Sequence, residues 1–135
     1  MRVLDNLVPE KVFYYFEELC NIPHGSTNTK AISDYCVNFA KERGLAYHQD
    51  PENNIIILKN GSKGYEDSKP VIIQGHLDMV CEKEADCTID FEKDGLSLAI
   101  DGDYIYAEGT TLGGDDGIAV AMALAILDDD TLEHP

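Results

Sequence analysis

No stretch of the 135-residue chain approaches the roughly 20 consecutive apolar residues that a membrane-spanning helix needs. The N-terminus also lacks the apolar core of a secretory signal, because charged residues recur from Arg2 onward. A cytoplasmic location is therefore expected. Basic side chains are scarce: 10 Lys and Arg stand against 26 Asp and Glu, for a formal charge of −16. That balance disfavours nucleic acid and anionic membrane surfaces as partners, and it suits a solvated surface that attracts divalent cations. Cysteine is limited to Cys20, Cys36, Cys81 and Cys87, and the spacing of the last two is not that of a zinc ribbon. All four read as reduced, packed thiols. There is no internal repeat, low-complexity tract or linker, so residues 1–135 read as one domain or part of one. The 44% hydrophobic content supports a modest core, although a parallel sheet covered by helices on both faces usually takes a longer chain.

What is present begins as helix. After Pro9, the residues Val12, Phe13, Phe16, Leu19 and Cys20 recur at three- and four-residue steps, which predicts one buried face with Glu17 and Glu18 pointing elsewhere. Ile22-Pro23 ends that helix, because a residue before proline is pushed out of the helical region. His24-Gly25-Ser26 then reads as a turn. His24 could meet a ligand there, but a turn histidine is the simpler reading. A second helix is expected from residues 27–29, with a hydroxyl or amide side chain as N-cap, to Arg43. Its buried stripe is Ile32, Tyr35, Cys36, Phe39 and Ala40, and Gly44 is its stop.

Residues 45–48 and 54–59 predict two strands around the turn Asp50-Pro51-Glu52-Asn53, with His48 half-exposed and Ile55-Ile56-Ile57-Leu58 apolar enough to be central. Residues 60–69 are a surface loop. The run Val71-Ile72-Ile73 predicts a strand buried on both faces. Residues 81–95 show no period, and Asp101-Gly102 marks a hairpin between strands 96–100 and 104–107. An alanine-rich helix follows over 118–127, with Ala119, Ala121, Ala123 and Ala125 small enough to lie against a sheet. Asp128-Asp129-Asp130 ends it, against the sense of the helix dipole.

Chemistry should begin where the buried strand ends, at Gly75-His76-Leu77-Asp78. In an extended segment, residues two apart share a side, which puts the His76 imidazole beside the Asp78 carboxylate. A metal-bound histidine needs that arrangement, with one ring nitrogen on the ion and the other held by an acid. An ordinary strand-end turn would also accommodate the same two residues. The glycine-rich turn Thr110-Thr111-Leu112-Gly113-Gly114-Asp115-Asp116-Gly117 resembles a phosphate cradle in outline only. It lacks the lysine and hydroxyl of a P-loop, and Asp115 and Asp116 would repel a phosphate. A carboxylate there suits a cation instead, and with His76 it makes a partial site for a divalent metal such as zinc.

Taken together, Gly75-His76-Leu77-Asp78-Met79-Val80 and Gly109-Thr110-Thr111-Leu112-Gly113-Gly114-Asp115-Asp116-Gly117-Ile118 resemble the M20 family of di-zinc metallopeptidases. Within it the chain looks most like the aminoacyl-histidine dipeptidases. The likeness extends to Ile22-Pro23-His24-Gly25-Ser26 and the Asp101-Gly102 hairpin, and so to nearly the whole chain. It implies an α/β fold, part of a zinc-exopeptidase-type three-layer catalytic domain with a central mixed, mostly parallel sheet flanked by helices. It also implies hydrolysis of dipeptides, of the Xaa-His type, by water activated between two zinc ions, with cobalt or manganese as substitutes. By position, His76 matches a zinc ligand, Asp78 the acid that orients its imidazole, and Asp115 the aspartate that bridges both ions and precedes a cis peptide. Asp116 stands where this subfamily usually has asparagine.

The family's general-base glutamate, further acidic ligands, C-terminal histidine and lid or dimerisation domain have no counterpart in these residues. Glu133 and His134 do not map onto any of them. Two ligands are thus available where a closed zinc site takes four, so the isolated piece is expected to be inactive. The complete enzyme is expected to be a homodimer, and this N-terminal part of the catalytic domain is expected to self-associate through an unpaired sheet edge. Two other readings use the same residues: a non-enzymatic binding or assembly domain of the same fold, and an amidohydrolase of the family with another substrate.

Overall fold

The computed structural model describes residues 2–135. The first helix, α1 (Glu10–Cys20), follows the cis Val8-Pro9 bond and carries Glu10 in its first turn, where a negative charge complements the helix dipole. Its buried face is Tyr15, Phe16, Leu19 and Cys20, close to the predicted stripe. Glu17 departs from expectation, since it is buried rather than pointing to solvent. Its carboxylate accepts the backbone N–H groups of Val3 (2.8 Å) and Leu4 (3.0 Å) and faces Arg2 at 3.6 Å, so its buried oxygens pin the N-terminal segment to the helix.

Helix α2 (Lys30–Glu42) buries Ile32, Cys36, Phe39 and Ala40 as its period predicts, together with Ser33 and Val37. Thr29 occupies its N-cap position but makes no side-chain capping bond, and Gly44 ends the helix region at φ 65°. Burial pushes the Cys20 and Cys36 thiols up to about 12, as befits packed hydrophobes, and all four cysteines are free.

The strands form two separate antiparallel pairs. β1 (Ala46–Gln49) pairs with β2 (Ile55–Leu58), and β3 (Leu98–Asp101) pairs with β4 (Tyr104–Ala107) across the Asp101-Gly102 turn. His48 is exposed opposite Ile56, and Ile56 and Leu58 are themselves exposed, so β2 is an edge rather than a central strand. The chain is therefore mixed α/β, but the mostly parallel central sheet is not assembled by the strands of the described residues. The predicted buried strand at 71–73 is irregular, and Ile72 is 88% exposed. A hydrophobic run becomes a central strand only when neighbours pair with it on both sides, and here none does among the described residues.

Helix α3 (Gly114–Leu127) packs mainly against α1, not against a sheet as its small residues suggested. Ala121 and Ala125 are buried with Val120 and Leu124 in the same cluster as Phe16 and Leu19. The acidic C-terminus of α3 finds its cations far away in sequence. Asp128 accepts Arg43 Nε at 2.6 Å and lies 3.1 Å from Lys11 Nζ, while Lys59 Nζ donates to the carbonyls of Leu127 and Asp129, each at 2.9 Å. Those positive charges cap the negative helix end that the three aspartates alone would worsen.

Burial raises the Asp128 carboxyl, but hydrogen bonds from Arg43, Tyr15 and Lys11 more than reverse this and hold it at about 2, below its ordinary 3.8. A carboxylate depressed on folding stabilises fully above its unfolded pKa and loses that contribution as pH falls through its folded one. Stability should thus decline between pH 3.8 and about 2 partly through Asp128. Asp128→Asn is expected to flatten that decline by on the order of 1 kcal/mol, a value reduced for the solvent exposure of this carboxylate. Urea unfolding of both proteins at stepped pH measures it, and parallel pH profiles would refute the assignment.

Candidate metal site

The site lies where the segment after residue 74 meets the start of α3. Gly113 enters the left-handed region at φ 72°, and a Cβ there would lie 3.0 Å from Met79 Cβ, so a side chain at 113 would be strained and crowded. Asp115 and Asp116 follow with non-helical angles across a cis peptide, and the regular helix takes over only afterwards. This kinked start turns the Asp115 carboxylate outward, 95% exposed, toward His76.

His76 stands between acceptors on both sides of its ring. Nδ1 donates to the Asp78 carbonyl at 2.9 Å and lies 3.1 Å from Asp78 Oδ1. Because a carbonyl can only accept, Nδ1 carries a proton. Nε2 lies 3.1 Å from Asp115 Oδ1, a second acceptor, so a positive charge is required between them, as a proton on Nε2 or as a metal ion. Hydrogen bonding to Asp115, with further help from Asp78, raises the imidazole pKa above its ordinary value. Asp78 is held below the usual carboxylate range, first by the Ser26 hydroxyl and then by His76. Asp116 Oδ2 accepts the backbone N–H of His76 at 3.3 Å, which ties the two halves of the site together.

The donor set fits zinc: an imidazole nitrogen and a carboxylate oxygen converge, and the far ring nitrogen is held by an acid. Their 3.1 Å separation is also close to that of two atoms on one ion, each roughly 2.0–2.1 Å from it. Among the described residues, no group of three or more His, Cys, Asp or Glu side chains is placed to hold an ion, so the set is partial. His24, the other histidine near the site, is structural: it is buried and its Nδ1 donates to the Ile22 carbonyl at 2.6 Å, with burial lowering its pKa. Glu133 and His134 pack on the 62–65 loop through Ser62 and Tyr65. Ser26, read from the sequence as a turn residue only, donates to Asp78 Oδ2 at 2.6 Å. A hydroxyl in a turn gives no local sign of a partner 52 residues away.

An imidazole nitrogen and a carboxylate that face each other, with a second acid behind the ring, form on this mixed α/β frame a partial donor set of the kind that suits a divalent metal. Comparison with known proteins makes this specific. The chain is 42% identical over 134 residues to the cytosol non-specific dipeptidase of Escherichia coli (strain K12), which covers 99% of this chain and 28% of that protein. The crystal structure of an aminoacylhistidine dipeptidase from Vibrio alginolyticus superposes with a TM-score of 0.93 at 38% identity, covering 97% of this chain and 27% of that one. Nearly the whole chain is thus similar to dipeptidases, and it spans little more than a quarter of their length. No protein-family model matches it. Among the described residues, no helix is long and apolar enough to cross a membrane.

Proposed function

We propose that residues 1–135 form the N-terminal part of an M20-type dipeptidase catalytic domain, which in the complete enzyme hydrolyses dipeptides of the Xaa-His class in the cytoplasm. The observation that carries this reading is the 3.1 Å approach of His76 Nε2 to Asp115 Oδ1, on a backbone that superposes on a dipeptidase with a TM-score of 0.93. His76 and Asp115 would hold the metal, with Asp115 as the bridging ligand between two zinc ions. Zinc, when bound, supplies Lewis acidity that polarises a peptide carbonyl and lowers the pKa of water. Asp78 keeps the proton on His76 Nδ1, which leaves the Nε2 lone pair free for the ion. Asp116 holds the His76 backbone N–H and adds a negative charge beside the ligands.

The partial donor set implies that this chain alone neither retains zinc nor turns over substrate. The purified 135-residue chain should lose its zinc on dialysis and leave a dipeptide such as carnosine uncleaved, whereas the complete protein should keep two ions and cleave it. Elemental analysis and amino-acid release measure the two properties. Stoichiometric zinc with turnover in the short chain would refute the division of the site; a complete protein with neither would refute the dipeptidase reading.

A further inference from the structure

We propose that Ser26 is a positioning residue for the metal site, its hydroxyl locking the Asp78 carboxylate so that the other carboxylate oxygen faces the His76 imidazole. The inference rests on the dipeptidase reading above, in which His76 is a metal ligand, and extends it to a residue to which that reading gives no role.

Three observations carry it. First, the contact is short and charge-assisted: Ser26 Oγ lies 2.6 Å from Asp78 Oδ2 but 3.5 Å from the Met79 carbonyl. A hydroxyl has one proton, and the nearer, charged acceptor takes it. Second, the serine is built into a frame. Met79 N donates to the His24 carbonyl at 3.0 Å and Ser26 N donates to the Met79 carbonyl at 3.2 Å, which makes the parallel bridge between Gly25 and Met79. Asn28 N closes the turn onto the Gly25 carbonyl at 2.8 Å. A Cβ on Gly25 would lie 2.8 Å from Cys81 Sγ, so a side chain there would need the Cys81 thiol to move aside. Third, the Asp78 carboxylate divides its oxygens: Oδ2 serves Ser26, and Oδ1 lies 3.1 Å from His76 Nδ1, whose proton it shares with the Asp78 carbonyl at 2.9 Å. Asp78 is 40% exposed, and without the serine its carboxylate would be free to rotate toward water. A relay therefore runs from Ser26 through Asp78 and His76 to Asp115. Its first link is supplied by the turn before α2, and groups behind a ligating histidine commonly set metal affinity in this way.

The test uses the intact protein, with zinc affinity measured by competition against a chromophoric chelator. Ser26→Ala should weaken zinc binding roughly tenfold, and Ser26→Thr, which keeps the hydroxyl, should restore most of it. In an Asp78→Ala background Ser26→Ala should cost nothing further, because the serine acts through that carboxylate. The metal-free melting temperature of Ser26→Ala should stay close to that of the parent. Parental affinity in Ser26→Ala would overturn the proposal while leaving the dipeptidase reading in place. So would an equal loss in the Asp78→Ala background, or a loss explained by a matching fall in metal-free stability. A parent protein that binds no zinc would overturn both.

Discussion

Alanine at His76 is expected to lower kcat/KM for dipeptide hydrolysis by the intact protein roughly a thousandfold, or about 4 kcal/mol of transition-state stabilisation. The size follows from position. His76 Nε2 faces the Asp115 carboxylate at 3.1 Å, so in the proposed site its removal would delete a metal ligand and leave Asp115 without its partner. Asp78→Asn should cost less, roughly 10- to 100-fold, because the amide keeps the shape of the side chain and weakens, without removing, its contacts to His76 Nδ1 and Ser26 Oγ. Steady-state kinetics with metal content measured on the same samples distinguishes the two. Wild-type turnover in His76→Ala would remove this residue from the site, and an Asp78→Asn loss as large as that of His76→Ala would make Asp78 a ligand rather than an orienting acid.

The second large effect is on stability. Leu19 is 1% exposed on the face that α1 turns toward α3, among Phe16, Ala121 and Leu124. Truncation to alanine there leaves a cavity that close-packed helices cannot collapse, and about 3 kcal/mol should be lost. Ile72, equally hydrophobic, is 88% exposed, and Ile72→Ala should change stability by less than about 0.5 kcal/mol. Urea unfolding midpoints compare them directly. If the two substitutions cost the same, residues 71–73 are covered in solution and the exposed conformation is not the one that matters.

That contrast shows where sequence patterns carry information. The stripes of α1 and α2 were readable because helical periodicity is a local property, repeated every three or four residues and independent of what covers the face. The Asp101-Gly102 hairpin was readable because glycine, at φ 57°, meets the need of a tight turn by itself. Val71-Ile72-Ile73 misled because an apolar run states a preference for burial without providing the neighbours that would bury it. Glu17 misled in the opposite direction: charge suggests solvent, yet its carboxylate satisfies two backbone donors and faces Arg2. The three aspartates at the end of α3 looked unfavourable only until Lys11, Arg43 and Lys59 arrived from elsewhere in the fold.

The candidate site divides along the same line. His76 and Asp78 are two residues apart, so alternation along an extended chain was enough to pair them, and Asp115 was marked by a glycine-rich turn unsuited to phosphate. By itself, then, the sequence determined the apolar stripes of α1 and α2, the place of the Asp101-Gly102 turn and the chemical character of these three residues. The tertiary structure alone decided that Nε2 of His76 meets Asp115 across 39 residues and that Ser26 meets Asp78 across 52. It also decided that Leu19 is covered while Ile72 is not. The reason is physical: local patterns bias the torsions of a few neighbouring residues, whereas burial and long-range hydrogen bonds depend on which surfaces the packed chain brings together.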